Sequence, residues 1–135
     1  MALRACLDTR FYFTHYGQKT PSWTRRIVEA GRLPGSGLVS STVTITELIS
    51  LMTPSVGLDT VRLRVDSAKD AGIKFVPPSE EIAHQAGEIL LRVGDLPIAD
   101  GIIAATAMAH TQGRVYTDDP HFKRIPGVRV LWGQE

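Results

Sequence analysis

Residues 98–122 read IADGIIAATAMAHTQGRVYTDDPHF. Ile98–Thr111 is apolar and Ala-rich over a helical length, and Gly113 suits a C-terminal cap for it. Arg114–Tyr116 follows that turn signal and reads as a short strand. Asp100 stands near the start of the helix, and Asp118 and Asp119 stand directly after the strand. Asp and Pro are common turn formers, so a turn is the plain reading of TDDP at 117–120. The rest of the chain decides whether these acids do more.

Outward from this stretch the elements alternate. Leu3–Leu7 reads as a short buried strand, Trp23–Arg32 as a helix stopped by the breaker cluster Gly31 to Gly35, and Leu38–Val43 as a strand. Ile45–Met52 switches to helical spacing, and Leu58–Ala71 is an amphipathic helix ending at Gly72. Ile73–Val76 is a strand closed by Pro77-Pro78, and Glu80–Val93 is a helix started by Ser79. Val128–Leu131 is a last strand. Strands alternating with helices predict an α/β fold with a short, mostly parallel sheet, its strands buried on both faces.

The 135 residues fit one domain over 1–135, and 43% hydrophobic with 21% charged residues is enough for an ordinary core. The longest apolar run is far short of a membrane span, and MALRACLDTR is charged too soon for a secretory signal. The single cysteine, Cys6, allows no internal disulfide, which fits a reducing cytoplasm, and its apolar strand context fits an inert buried thiol. Fifteen Lys and Arg against fourteen Asp and Glu leave a formal charge of +1, so any contact with nucleic acid must come from local patches. Four histidines without HxxxH or HxH spacing, and no cysteine cluster, argue against structural zinc.

In parallel sheets, sites form outside the carboxyl ends of the strands. Asp8 follows the first strand, and Asp118 and Asp119 follow the strand ending at Tyr116. Glu47, in TITELISL, and Asp100 sit in the first turns of helices, and a helix that follows a parallel strand begins at the same edge. Each acid has a plainer explanation. Thr44-x-x-Glu47 fits a capping box, Asp100 complements a helix dipole, and Asp8 starts a turn. Jointly, however, four segments deliver carboxylates to one edge. Two carboxylates ~4 Å apart repel by roughly 4 kcal/mol at an effective dielectric near 20. Clustering several requires raised pKa values, shared protons or a cation. A hard divalent ion, Mg²⁺ or Mn²⁺, suits carboxylate oxygens, and a water on such an ion serves phosphodiester hydrolysis.

LDT at 7–9, TELISL at 46–51, IADGIIAATA at 98–107 and VYTDDPHF at 115–122 resemble, in order and separation, the four acidic motifs of PIN domains, and within them the VapC-like toxin ribonucleases. The last two motifs together are the most specific part of the resemblance. It implies a PIN-like three-layer sandwich, and a Mg²⁺- or Mn²⁺-dependent endoribonuclease acting on RNA. It also implies a toxin blocked by a cognate antitoxin, often as a homodimer. By the same resemblance the catalytic and metal-binding set is Asp8, Glu47, Asp100 and Asp119. The T-x-D pattern leaves Asp118 in the variable slot, facing solvent or a second metal. Thr117 is expected to hold a water or phosphate through its hydroxyl.

Arg10 departs from the family's small residue at that position; it either reaches a substrate phosphate or projects to solvent. Thr14–Trp23 is polar and turn-rich and is expected as a loop over the site. Arg25, Arg26, Lys123 and Arg124 form either phosphate contacts or a solvated face. Leu58, Val61, Leu63, Val65 and Ala68 on one helix offer more apolar surface than a small sheet covers, which favours a homodimer. Three other readings compete. A receiver-like signalling domain would need an acid pair after the first strand and a lysine after the last. A haloacid-dehalogenase phosphatase would need D-x-D where position 10 is Arg. A non-catalytic domain would not need all four acids. An RNA-processing nuclease without an antitoxin remains the alternative within the family.

Overall fold

The computed structural model describes residues 3–133. Five strands form one sheet: β1 (Arg4–Leu7), β2 (Gly37–Ser41), β3 (Lys74–Val76), β4 (Arg114–Tyr116) and β5 (Arg129–Leu131). Their order is β3-β2-β1-β4-β5, and all four pairings are parallel. Six α-helices connect them: α1 (Thr9–His15), α2 (Ser22–Ala30), α3 (Thr42–Val56), α4 (Leu58–Asp70), α5 (Glu80–Val93) and α6 (Ile98–Thr111). A 3₁₀ turn covers Pro120–Arg124.

Side-chain alternation along β1 divides the interior. Ala5 and Leu7 face a core completed by Phe11 and Tyr12 of α1, Leu48 of α3, and Val61, Val65 and Ala68 of α4. Cys6 faces the other core, with Ile82, Ala86 and Ile89 of α5, Ile103, Ala104, Ala105 and Ala107 of α6, and Phe122. The result is the expected three layers, helices on both faces of a parallel sheet. The small residues of α6 let it lie close against its neighbours; a Cβ on Gly101 would stand 2.8 Å from the Leu90 Cγ of α5.

The order of the strands matters for function. From β1 the chain steps outward to β2 and β3, then crosses back through α5 and α6 to place β4 on the other side of β1. Connections leave β1 and β4 in opposite directions, so a crevice opens at their carboxyl ends.

Several element boundaries differ from the sequence reading. Helix α1 lies where the sequence pattern marks no element; it is only 7 residues long and rich in aromatic residues, which lack strong helix preference. It forms because Phe11 and Tyr12 are buried against the sheet. Strand β2 ends at Ser41, not at Val43, because the Ser41 hydroxyl accepts from Val43 N and caps α3. Helix α3 also runs through Pro54, past the expected end at Met52, and stops at Gly57. Of the apolar residues counted toward a dimer surface on α4, Val61, Val65 and Ala68 belong to the core, whereas Leu63 is 68% exposed.

Candidate metal centre and acidic crevice

The site begins with two strand ends. The register pairs Leu7 with Tyr116, so the residues that follow, Asp8 and Thr117, are neighbours. Asp8 N donates to Tyr116 O at 3.2 Å, and Thr117 N donates to Leu131 O at 3.1 Å. The Thr117 hydroxyl, fully buried, donates to Asp8 Oδ2 at 2.7 Å and accepts from Asp119 N at 3.0 Å. That hydroxyl was expected to hold a water or phosphate; it is instead spent within the protein, orienting one acid and the turn that carries another. Asp8 is 2% exposed, and burial pushes its pKa up to about 6 against the pull of Thr117 and of the Thr9 and Arg10 amides; the charge of Glu47 raises it further.

Glu47 arrives from α3. Because Ser41 is the N-cap, Thr44 lies inside the helix and is buried, and Glu47 belongs to the second turn rather than the first. The capping-box explanation therefore fails. The Thr9 hydroxyl instead donates to Glu47 Oε1 at 2.6 Å and lies 3.2 Å from the Thr44 hydroxyl. Thr9 thus joins the segment after β1 to α3 and aims Glu47 at the crevice.

Asp100 occupies the first turn of α6 and is only 6% exposed. Burial is the main cause that lifts its pKa up to about 7; the charges of Asp119, Asp8 and Glu47 add to the lift, and His121 opposes it. The four acids from four segments therefore share one electrostatic neighbourhood. Asp100 Oδ2 is buried and makes no hydrogen bond. His121 Nδ1 lies 3.2 Å from it and 2.9 Å from Asp119 Oδ1, close enough for ion pairing but poorly aligned for a hydrogen bond. Asp119 Oδ1 also accepts from His121 N at 2.9 Å, which fixes the turn. Ligand atoms of Asp100, Asp119 and His121 all lie within 4.8 Å of one another. Carboxylate oxygens, a ring nitrogen and a buried oxygen without a partner suit a divalent cation.

Asp118 turns the other way. It pairs with Arg10 at 2.6 Å on the half-exposed rim; like Asp8 and Glu47, it lies outside the group of three ligand atoms. The guanidinium also sits in the field of Asp119 and Asp8. Beside this rim a cleft of about 430 Å³ is lined by Thr117, Asp119, Pro120, Lys123, Val130 and Trp132 among others. Two of the other basic residues bond to backbone carbonyls: Arg124 donates to Gly94 O at 2.8 Å, just after α5, and Arg25 donates to Thr20 O at 3.0 Å. The expected loop of Thr14–Trp23 is confined to residues 16–21, since Thr14 and His15 finish α1 and Ser22 starts α2. Its side chains bond between these helices, as His15 Nδ1 does with the Thr24 hydroxyl at 2.9 Å.

His121 and Thr9 were missed as site residues. A lone histidine beside aspartates lacks the paired spacing by which metal-binding histidines are recognised in a sequence. The available signal was its place in VYTDDPHF, two residues beyond Asp119 at the start of a turn.

Comparison with known proteins agrees with the geometry. The complex of VapBC2 from Rickettsia felis with a promoter DNA fragment contains a chain that superposes with a TM-score of 0.79, at 18% identity, covering 96% of this chain and 98% of that one. DNA-bound VapBC from Salmonella typhimurium gives 0.74 at 23% identity over 98% of each chain. Mycobacterium tuberculosis VapC20, described as a sarcin-ricin loop cleaving toxin, gives 0.70 at 16% identity over 88% of this chain and 92% of that one. No curated protein sequence matches significantly. The family model of the PIN domain matches residues 5–128, which span β1, all six helices, β4 and the acidic crevice, and leaves no room for the receiver or phosphatase readings. The chain is a member of the PIN domain family.

Proposed function

We propose that this protein is a divalent-metal-dependent endoribonuclease and the toxin of a VapBC-type toxin–antitoxin pair. The observation that carries the reading is the convergence of Asp8, Glu47, Asp100 and Asp119 on one sheet edge, with Asp100 Oδ2 buried and without a hydrogen-bond partner. A cation relieves both the repulsion and the unpaired oxygen. Mg²⁺ or Mn²⁺ would be held by these four residues, and when bound would supply charge neutralisation and acidify a water for attack on phosphorus.

The chain's own residues do the rest. Thr117 holds Asp8, and Thr9 holds Glu47, so two of the acids are oriented before any ligand arrives. Arg10 is at the rim, where its pairing with Asp118 is half-exposed and can be exchanged for a substrate phosphate. Lys123 lines the adjacent cleft and offers a phosphate contact to single-stranded RNA; Trp132, packed edge-on against Trp23, forms part of the same wall. Asp118 orients Arg10 and leaves the ion to the other acids. Support for RNA as substrate comes from the description of VapC20 as a toxin cleaving the sarcin-ricin loop, and support for an antitoxin partner from the VapBC complexes. The exposed Leu51 and Leu63 are the surface for a homodimer, which light scattering at micromolar concentration tests. No described helix is long and apolar enough to cross a membrane, in keeping with work in the cytoplasm.

The deciding experiment is cleavage of single-stranded RNA by the purified protein. EDTA abolishes it, and added Mg²⁺ or Mn²⁺ restores it. Full activity in EDTA refutes the metal-dependent reading. Activity that no product of a neighbouring gene inhibits leaves an RNA-processing nuclease instead of a toxin.

A further inference from the structure

The acids alone describe an all-oxygen site. His121 does not belong to such a set, and its position needs a reason. It is held by its own backbone, since His121 N donates to Asp119 Oδ1, and Pro120 before it restricts the turn. That constraint leaves Nδ1 buried, without an aligned hydrogen bond, 2.9 Å from Asp119 Oδ1 and 3.2 Å from Asp100 Oδ2. In an octahedral site with bonds of about 2.0–2.2 Å, adjacent ligand atoms stand about 2.8–3.1 Å apart. The 2.9 Å separation matches one edge of such a shell, and the 3.2 Å separation lies within about 0.1 Å of another. Asp100 Oδ2 is also buried and without a hydrogen-bond partner, and ligand atoms of Asp100, Asp119 and His121 all lie within 4.8 Å of one another.

We propose that His121 Nδ1 is a direct nitrogen ligand of the ion and biases the centre toward a first-row transition ion such as Mn²⁺ over Mg²⁺. Mg²⁺ takes hard oxygen ligands and gives up its waters reluctantly, whereas imidazole suits first-row transition ions. A residue that replaces a water or carboxylate by a ring nitrogen therefore lowers the affinity for Mg²⁺ relative to Mn²⁺. Asp100 and Asp119 provide the charge, and His121 provides the discrimination. This rests on the metal-dependent reading above, but it adds a separate claim about which ion the site prefers.

The test uses the whole purified protein with Mn²⁺ as probe and does not need RNA. Electron–nuclear spectroscopy of the Mn²⁺-loaded protein should show a directly bound ¹⁴N. His121→Asn puts an amide oxygen close to the place of Nδ1, and His121→Ala removes the ligand. Both should lose the nitrogen coupling. Titration of each metal should show the Mn²⁺-to-Mg²⁺ affinity ratio falling at least about tenfold in His121→Asn, a change of about 1.4 kcal/mol in relative binding. Unchanged circular dichroism in metal-free buffer will show that the variants fold; His121 is partly exposed, so the fold does not depend on it. Mn²⁺ binding without nitrogen coupling, or with the same ratio in His121→Asn, overturns the role of His121 and leaves the acidic metal site standing. Failure of the parent to bind Mn²⁺ at all, with Asp100→Asn no different, overturns the metal site itself.

Discussion

Replacing Asp100 by Asn removes one charge from the acidic crevice and keeps the side chain's shape, and the structure assigns a sign and size to the effect. Asp100 in the folded protein has its pKa pushed up to about 7, from the usual 3.8, chiefly by burial. The native state therefore binds this proton more tightly than the unfolded chain. The stability that goes with the neutral carboxyl is complete below the unfolded value and is lost as pH rises from there through about 7. Each unit is worth about 1.4 kcal/mol at full effect, about 4 kcal/mol in all, and solvent screening at the open crevice lowers the cost of the ionised carboxylate to about 2–4 kcal/mol at about pH 8. The charges of Asp119, Asp8 and Glu47 add to the lift at Asp100, and neutralising Asp100 removes these repulsions. The Asn amide can donate to His121 Nδ1, so nothing is newly orphaned. In EDTA at about pH 8, Asp100→Asn is thus expected to be about 2–4 kcal/mol more stable than the parent, raising Tm by roughly 10 °C for a chain of this size. At about pH 5 the difference should shrink to about 1–2 kcal/mol, because the parent is then protonated at this residue. Added Mg²⁺ or Mn²⁺ should raise the parent's Tm and raise the variant's much less, by linkage. Thermal unfolding of both proteins at the two pH values, with and without metal, measures all of this. A variant that is several kcal/mol less stable than the parent in EDTA would show that Asp100 is a structural hydrogen-bonding residue, and the reasoning from charge repulsion would be refuted.

Other consequences are equally direct. Asp119→Asn should abolish metal-dependent cleavage, while Asp118→Asn, which breaks only a rim pairing with Arg10, should cost less than about tenfold and no more than ~1 kcal/mol of stability; the reverse ranking in the cleavage rate would put the site one residue away. Thr117→Val removes the hydroxyl between Asp8 and Asp119 N, and should lower both stability, by about 1–3 kcal/mol, and kcat, while Thr117→Ser keeps both. If Val behaves like Ser in denaturant titration and in rate, Asp8 is not held by this bond. Gly113, at φ 83° with its Cα beside the Gly127 carbonyl, has no room for a Cβ, so Gly113→Ala should lose at least about 2 kcal/mol by steric clash and backbone strain. A shift of less than ~0.5 kcal/mol in chemical denaturation would mean that the β4–β5 junction gives way easily.

Local signals were enough for much of the architecture. The bounds of α5, α6 and β4 follow from hydrophobic spacing, the Ser79 cap and the glycines after each helix, because those signals act over a few residues. Parallel strands follow from the alternation of elements, and with them the shared edge for Asp8, Glu47, Asp100 and Asp119. What the sequence could not reveal depends on contacts between distant segments. Helix α1 exists because its aromatic side chains are buried, Glu47 is aimed by Thr9 rather than used as a cap, and Val61, Val65 and Ala68 cover the sheet instead of a partner. The Thr117 hydroxyl looked free until Asp8, 109 positions away in the chain, was placed beside it. His121 gained its meaning in the same way: a lone histidine has no periodicity to betray it, and only the turn that brings Nδ1 between Asp100 and Asp119 makes it part of the site.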